Sequence, residues 1–254
     1  FDRSTRGAEL TPRGRTFLEA TESGLLRIFQ GVRSVTGEVL SDEIVRIGAL
    51  PNVCSQFLPA IVQVFKSEYP SVRVRVSPGT NAGLLDSLRR GETDFVIGRL
   101  SSSEDMRGLV FRALFDEPLV FVVRGGHPLS GGQATLEEAL TFPTLLPPEG
   151  TIIRQELSRY LSGQGVSELP DVVETTSSDF QRSYVARTDC VAVMPRGVVQ
   201  AELESGAFVH LDIAKDAMRG PVGLTTNPEL RLGSGAGKLV ETILNTPLMP
   251  KMVS

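Results

Sequence analysis

Four short segments place small polar residues just after an apolar run and just before a helical one. They are Pro51-Asn52-Val53-Cys54, Gly79-Thr80-Asn81, Glu149-Gly150-Thr151-Ile152 and Thr176-Ser177-Ser178. A helix start carries N–H groups with no intrahelical partner and a partial positive charge, so it favours a carboxylate or a phosphate. In an open parallel sheet, ligands bind beyond the carboxyl ends of the strands. Two such starts from each half of the chain, facing one cleft, would hold an organic anion without any catalytic residue. The candidate binding residues are therefore Asn52, Thr80, Asn81, Thr151, Ile152 and Ser177. Arg99 joins them, because it ends a strand where its guanidinium could grip a carboxylate through two bonds. Each candidate also has a plainer reading. Every strand-to-helix turn needs a cap, and Arg99 could pair instead with Asp94 or Asp116.

The catalytic inventory is poor. The two histidines, His127 and His210, have no Cys, Asp or second His at ligand spacing, so no metal site is expected. His127 lies in the turn Gly125-Gly126-His127-Pro128, and His210 in an alternating stretch that predicts half burial. No G-x-S-x-G elbow and no G-x-G-x-x-G after a strand is present. Gly233-Ser234-Gly235-Ala236-Gly237-Lys238-Leu239 imitates a phosphate loop but has Leu232 at its first glycine and Leu239 at its final hydroxyl position. It reads as a loop entering the last helix. No nucleophile, no cofactor loop and no catalytic residue is assigned, and an enzyme is not expected.

The elements that position these residues follow from periodicity. The chain has 254 residues, is 41% hydrophobic and carries a formal net charge of -4. That length supports one large or two small domains, and the charge argues against a nucleic-acid-binding body. No apolar run reaches the ~20 residues that span a bilayer. The two cysteines, Cys54 and Cys190, lie far apart in sequence, which points to a reducing cytosol. From residue 44 strands alternate with helices. Strands are predicted at 44–49, 72–76, 94–98, 109–114, 118–123, 144–146, 172–174, 190–194 and 220–226. Helices are predicted at 54–69, 81–90, 136–140, 151–161, 178–187 and 235–244. In the helix at 54–69 the expected buried face is Phe57, Leu58, Ile61, Val64 and Phe65. This order predicts two α/β subdomains joined by two crossing segments, near 98–101 and 207–212. Lobe I would comprise about 43–98 and 213–254, and lobe II about 101–206.

Residues 15–36 read as one helix. Leu18, Leu25 and Val32 recur every seven positions, with Thr21, Ile28 and Val35 in the matching second position. The seam is narrow, so we favour pairing with a second chain through Leu18, Leu25, Ile28 and Val32, over packing on the helix's own domain. Thr11 is the expected N-cap before Pro12.

The opening stretch, Phe1-Asp2-Arg3-Ser4-Thr5-Arg6-Gly7-Ala8-Glu9-Leu10-Thr11-Pro12-Arg13-Gly14, resembles the wing that closes the winged helix-turn-helix domain of LysR-type transcriptional regulators. Further on, I-V-R-I-G-A-L-P, F-L-P-A-I-V-Q-V-F-K-S-E-Y-P-S-V-R-V, L-L-D-S-L-R-R-G-E-T-D-F-V-I-G and G-H-P-L are similar to the effector-binding domain of that family. One pattern departs. The family's A-A-G-x-G-V-A-x-x-P run appears here as Val185-Ala186-Arg187-Thr188-Asp189-Cys190-Val191-Ala192-Val193-Met194-Pro195, with both glycines lost.

The resemblance implies an α/β fold of two Rossmann-like subdomains, with periplasmic-binding-protein type II architecture, after a long linker helix. It implies three parts: a remnant of the DNA-binding domain at 1–14, a linker and dimerisation helix with hinge at 15–40, and an effector-binding domain at 41–254. By position, Asn52, Thr80, Arg99, Thr151 and Ile152 match the places where family members hold their effector. Arg3 and Arg6 would touch the DNA backbone. A recognition helix would lie in roughly sixty further residues before Phe1. The implied partners are a small organic anion, DNA through that domain, and further copies of the chain as a dimer or tetramer. No membrane partner and no cofactor is implied, and the implied location is the cytoplasm. Within the family the similarity points to activators of aromatic, protocatechuate catabolism. The alternatives are a periplasmic-type solute-binding protein, disfavoured by the wing and seam, and an enzyme on the same bilobal fold.

Overall fold

In the computed structural model, residues 2–4, 7–9, 11–14, 17, 21, 43–131, 133–214 and 217–246 are described. Arg6, Leu18, Leu25, Ile28 and Val32 lie outside them. Arg3 lies on β1 (Asp2–Ser4), which pairs antiparallel with β2 (Gly7–Glu9). The Thr11 hydroxyl accepts the Gly14 N–H at 3.0 Å, the capping bond expected at that position.

The first lobe is built on β3 (Ile44–Ala49), β4 (Arg73–Pro78) and β5 (Phe95–Arg99). β3 lies between the other two and is parallel to both. Parallel neighbours require crossover helices. The first crossover is α1 (Pro51–Gln56) and α2 (Leu58–Glu68), and the second is α3 (Asn81–Arg89). The sequence pattern predicts one helix over 54–69, yet the backbone turns at Phe57. Pro59 has no N–H to give the preceding turn, so a second helix starts there instead. The sheet continues through β11 (Arg219–Thr226), antiparallel to β5, and then β6 (Val110–Arg124). Phe57, Leu58, Ile61 and Phe65 pack with Val45, Ile47, Phe95 and Ile97, and with Leu239 and Ile243 of α8 (Ser234–Asn245). Leu84, Leu88 and Val96 cluster separately. Val64 departs from the expected buried face and is 41% exposed.

β6 carries the chain between lobes. Its first half, from Val110 to Pro118, pairs with β11. Its second half pairs with β9 (Val191–Pro195) from Leu119 to Val122, and with β10 (Phe208–Leu211) from Phe121 to Arg124. Strands β7 (Thr144–Leu146) and β8 (Val172–Glu174) complete the second sheet. Its helices are α4 (Leu136–Ala139), α5 (Ile152–Gly163), α6 (Ser178–Val185) and α7 (Gln200–Ser205). Leu157 and Leu161 of α5 pack with Phe121, Leu146 and Val193. Val185 packs with Val122, Leu145 and Met194 in a separate cluster.

This moves one expected crossing point and narrows the other. The chain passes between sheets at Glu117–Leu119 inside one continuous strand, not near 98–101. It returns between β10 and β11, after residue 211, at the far end of the expected 207–212. Residues 110–117 therefore belong with lobe I, and 208–211 with lobe II. A strand that switches partners needs no loop, so the Asp116-Glu117-Pro118 segment that looks like a break is crossed by one continuous strand. His210 is exposed, not half buried.

Candidate functional site

A buried polar cluster joins the lobes. Arg99 ends β5, and only 1% of its side chain is exposed. Its Nη1 donates to both oxygens of Glu156, at 2.9 and 2.7 Å. Its Nη2 donates to the Glu117 carbonyl at 2.7 Å and lies 3.9 Å from Glu117 Oε2. Asn52, in the first turn of α1, donates from Nδ2 to that same Oε2 at 2.8 Å. Glu156 stands on α5, in the other lobe. The Arg99 bridge is thus an interlobe contact, and its partners are Glu117 and Glu156 instead of Asp94 or Asp116. Asp94 accepts the Arg46 N–H at 2.6 Å. Alternation along β6 exposes Asp116 and buries Glu117.

Gly220 of β11 lies opposite Glu117 in the ladder. A Cβ at that position would come within 2.8 Å of Glu156 Oε1 and closer still to Arg99 Nη1. The missing side chain leaves room for the bridge. Burial pushes the Glu117 carboxyl above its usual pKa, opposed in turn by the Arg99 charge and the Asn52 hydrogen bond.

Around this cluster stand the candidate helix starts. Thr80 caps α3, with Oγ1 accepting the Gly83 N–H at 3.3 Å. Asn81 follows it, with Oδ1 3.4 Å from where a Cβ on Gly98 would sit. The start of α3 therefore lies against the residue before Arg99. Thr151 caps α5, accepting from the Arg154 N–H at 3.2 Å and donating to the Pro148 carbonyl at 2.9 Å. Arg154 itself pairs with Glu174 at 2.7 Å. Ile152 and Glu156, one turn apart, share the flank of α5 beside its core face of Ile153, Leu157, Tyr160 and Leu161. Ser177 caps α6, accepting the Phe180 N–H at 3.3 Å. Arg99 and Asn52 are thus linked by one network, and Thr151 and Ile152 share with Glu156 the helix that joins it. Thr80 and Asn81 adjoin it, while Ser177 has no described contact with it.

Sequence reasoning missed Glu117 and Glu156. Glu117 had no signal, because it fell between the strands predicted at 109–114 and 118–123 and only the continuous β6 gives it a buried side. Glu156 had none, since its partner is in the other lobe. A third missed carboxylate is Glu43, which is buried and accepts the Gly235 N–H through both oxygens at 3.0 Å. It occupies the start of α8, where the glycine-rich segment imitates a phosphate loop.

Other groups serve the scaffold. His127 is buried, its Nδ1 accepting the Leu129 N–H at 3.0 Å and its Nε2 lying 3.2 Å from the Asp189 carbonyl. Burial pushes both the Cys54 and Cys190 thiols up, so neither is primed as a thiolate. Among the described residues, no three His, Cys, Asp or Glu side chains could hold a metal ion. No described helix is long and apolar enough to cross a membrane. Two concavities have volumes of about 320 and 370 Å³, and neither is lined by Arg99, Glu117 or Glu156. One is formed by α5 and residues 166–169, the other by Pro118–Phe121 with Arg196, Leu211 and Arg219.

Comparison with known proteins adds the following. The family described as "LysR substrate binding domain" matches residues 40–247. The chain is 34% identical over 238 residues to the HTH-type transcriptional regulator PcaQ of Agrobacterium fabrum (strain C58), covering 91% of this chain and 76% of PcaQ. It is 32% identical over 244 residues to the uncharacterized HTH-type transcriptional regulator YdcI of Escherichia coli (strain K12), covering 96% of this chain and 80% of YdcI. The regulatory domain of Synechocystis PCC6803 CcmR, solved in complex with 2-PG, shares the fold with TM-score 0.70 and 17% identity, covering 81% of this chain and 100% of that one.

Proposed function

The chain belongs to the LysR family of transcriptional regulators, and on that premise we propose that it senses a small organic acid held between its two lobes. It is a regulator with an effector-binding domain and not an enzyme. One observation carries the finer reading. The starts of α3 and α5, one from each lobe, flank the Arg99–Glu156 bridge that joins the lobes. Helix starts favour carboxylates. A ligand reaching both would favour one interlobe geometry, and only such differential binding shifts a regulatory equilibrium. Thr80, Asn81, Thr151 and Ile152 are the proposed contacts, with Asn52 and Arg99 beneath them and Ser177 further out. The likeness to PcaQ, with the resemblance read from the sequence, supports an acid of aromatic, protocatechuate catabolism as the effector.

In this reading residues 1–14 are the end of a DNA-binding domain, with Arg3 and Arg6 on the phosphate backbone. Residues 15–40 are a linker helix, and 41–254 hold the effector in a cytoplasmic protein. Copies pair through Leu18, Leu25, Ile28 and Val32. Leu25→Asp with Ile28→Asp places unpaired charges in that seam and should weaken association in sedimentation. Equal association by the double variant would remove the seam.

The test of the cleft is calorimetry with a panel of aromatic-catabolic acids on wild type and Thr80→Val. If the hydroxyl bonds a carboxylate, the loss is about 1.5–3 kcal/mol, or roughly ten- to hundredfold in affinity. Unchanged affinity would remove Thr80 from the site.

A further inference from the structure

We infer that Glu156 sets the class of acid this cleft accepts: a monocarboxylic acid bearing hydroxyl groups, in preference to a polycarboxylate. The inference rests on the cleft being the effector site.

An arginine recognises a carboxylate best through two parallel N–H bonds. Here both terminal nitrogens are already engaged, and only Nε, itself buried, has no partner. Nη1 of Arg99 faces both oxygens of Glu156, and Nη2 faces the Glu117 carbonyl. A ligand carboxylate gripping Arg99 through Nη1 must displace Glu156 and leave it unpaired in a partly buried place, with 17% of its side chain exposed. Nor is the surrounding charge inviting. Two carboxylates, Glu117 and Glu156, stand around one guanidinium. Asn52, which could have donated to an anion, gives its amide to Glu117.

What the cluster offers a ligand is acceptors. An ionised carboxylate accepts about four hydrogen bonds. Glu156 spends one on each oxygen with Arg99. Its remaining lone pairs are unclaimed by Arg99, its side chain is 17% exposed, and the residue stands one turn after Ile152 on α5. A hydroxyl meets that acceptor favourably, and a second carboxylate meets it unfavourably. The bridge is also a built feature. Gly220 omits the one side chain that would collide with it.

Three probes separate the possibilities: 3,4-dihydroxybenzoate, 3,4-dimethoxybenzoate and benzene-1,4-dicarboxylate. The second keeps the first's carboxylate but has no O–H to donate. The third replaces the hydroxyls by a second carboxylate. Calorimetry on wild type should rank 3,4-dihydroxybenzoate tightest by at least about tenfold, the worth of one hydrogen bond to a charged group. Glu156→Ala removes the acceptor and frees Arg99, so the dicarboxylate should gain about tenfold and the dihydroxy preference should collapse. Glu156→Gln keeps the packing and one acceptor for Arg99 and should lie between. It carries the test if a thermal scan finds Glu156→Ala unfolded.

Wild type binding the dicarboxylate or the dimethoxy acid as tightly as the dihydroxy acid would overturn the inference. So would an unchanged ranking in the folded Glu156 variants, or no binding of the dihydroxy acid at millimolar concentration. If Thr80→Val weakens every acid while the Glu156 variants leave the ranking alone, the cleft stands and the role of Glu156 falls. If neither Thr80→Val nor the Glu156 variants move any affinity, the cleft reading falls as well.

Discussion

At the start of α8 the anion is part of the chain. Glu43, buried at the entry to β3, places both carboxylate oxygens on the Gly235 N–H, and its own carbonyl accepts the Arg73 N–H at 2.8 Å. At the starts of α3 and α5 the chain supplies only a neutral hydroxyl, from Thr80 and Thr151. All three starts carry the same partial charge. The first is closed by a carboxylate drawn from 192 residues away, and serves to pin the last helix to the first strand. The other two stand beside the interlobe bridge and leave the charge open. In the proposed reading, a helix start is open to a ligand where the fold withholds an anion that it supplies elsewhere.

Removing the built-in anion should therefore have the largest effect on stability. Glu43→Ala leaves a buried N–H without its charged acceptor and a gap against Gly233 and Gly235. The expected loss is about 2–4 kcal/mol in urea denaturation. A loss no greater than that of an ordinary cap would erase the contrast between the two kinds of helix start. The cap itself is the next test. Thr151→Ala should cost about 1 kcal/mol, since it loses the bond from the Arg154 N–H and the bond to Pro148. A cost equal to that of Glu43→Ala would mean that the α5 start is as much a structural fixture as the α8 start.

A smaller effect depends on pH. Glu117 has its carboxyl raised in the folded state, chiefly by burial. A raised group holds its proton more tightly folded than unfolded. Its contribution is full below the unfolded value, near 4.5, and is lost as pH rises through the higher folded value. Arg99, Asn52 and Glu156 face this group. Glu117→Gln keeps an acceptor for Asn52 but cannot ionise. Its stability relative to wild type should therefore improve as pH rises from about 4 toward neutrality. Parallel stability curves over that range would show that Glu117 titrates normally.

Much of the scaffold is legible in sequence because it is local. Thr80, Thr151 and Ser177 announce their helices by cap chemistry, and β3, β7 and β8 start and stop at the predicted residues. Two features are not local, and they are the ones the proposed site depends on. The Asp116-Glu117-Pro118 segment resembles a break between strands, yet β6 runs through it and trades one sheet for another. The Arg99–Glu156 bridge spans 57 residues and two lobes. Neither periodicity nor a motif records it. Arg99 is recognisable as a chemically able residue at a strand end, but its availability is decided by a glutamate that reads as an ordinary helix-surface position.

The most direct test of the cleft follows amide hydrogen exchange with and without a bound aromatic acid. A ligand between the lobes should slow exchange at residues 81–84 and 152–155 together, because it orders a helix start in each lobe. It should leave residues 235–238 unchanged, because Glu43 already closes that start. Protection of both cleft segments without the third is the result the two-lobe site predicts. Protection confined to one lobe, or appearing at 235–238, would contradict it.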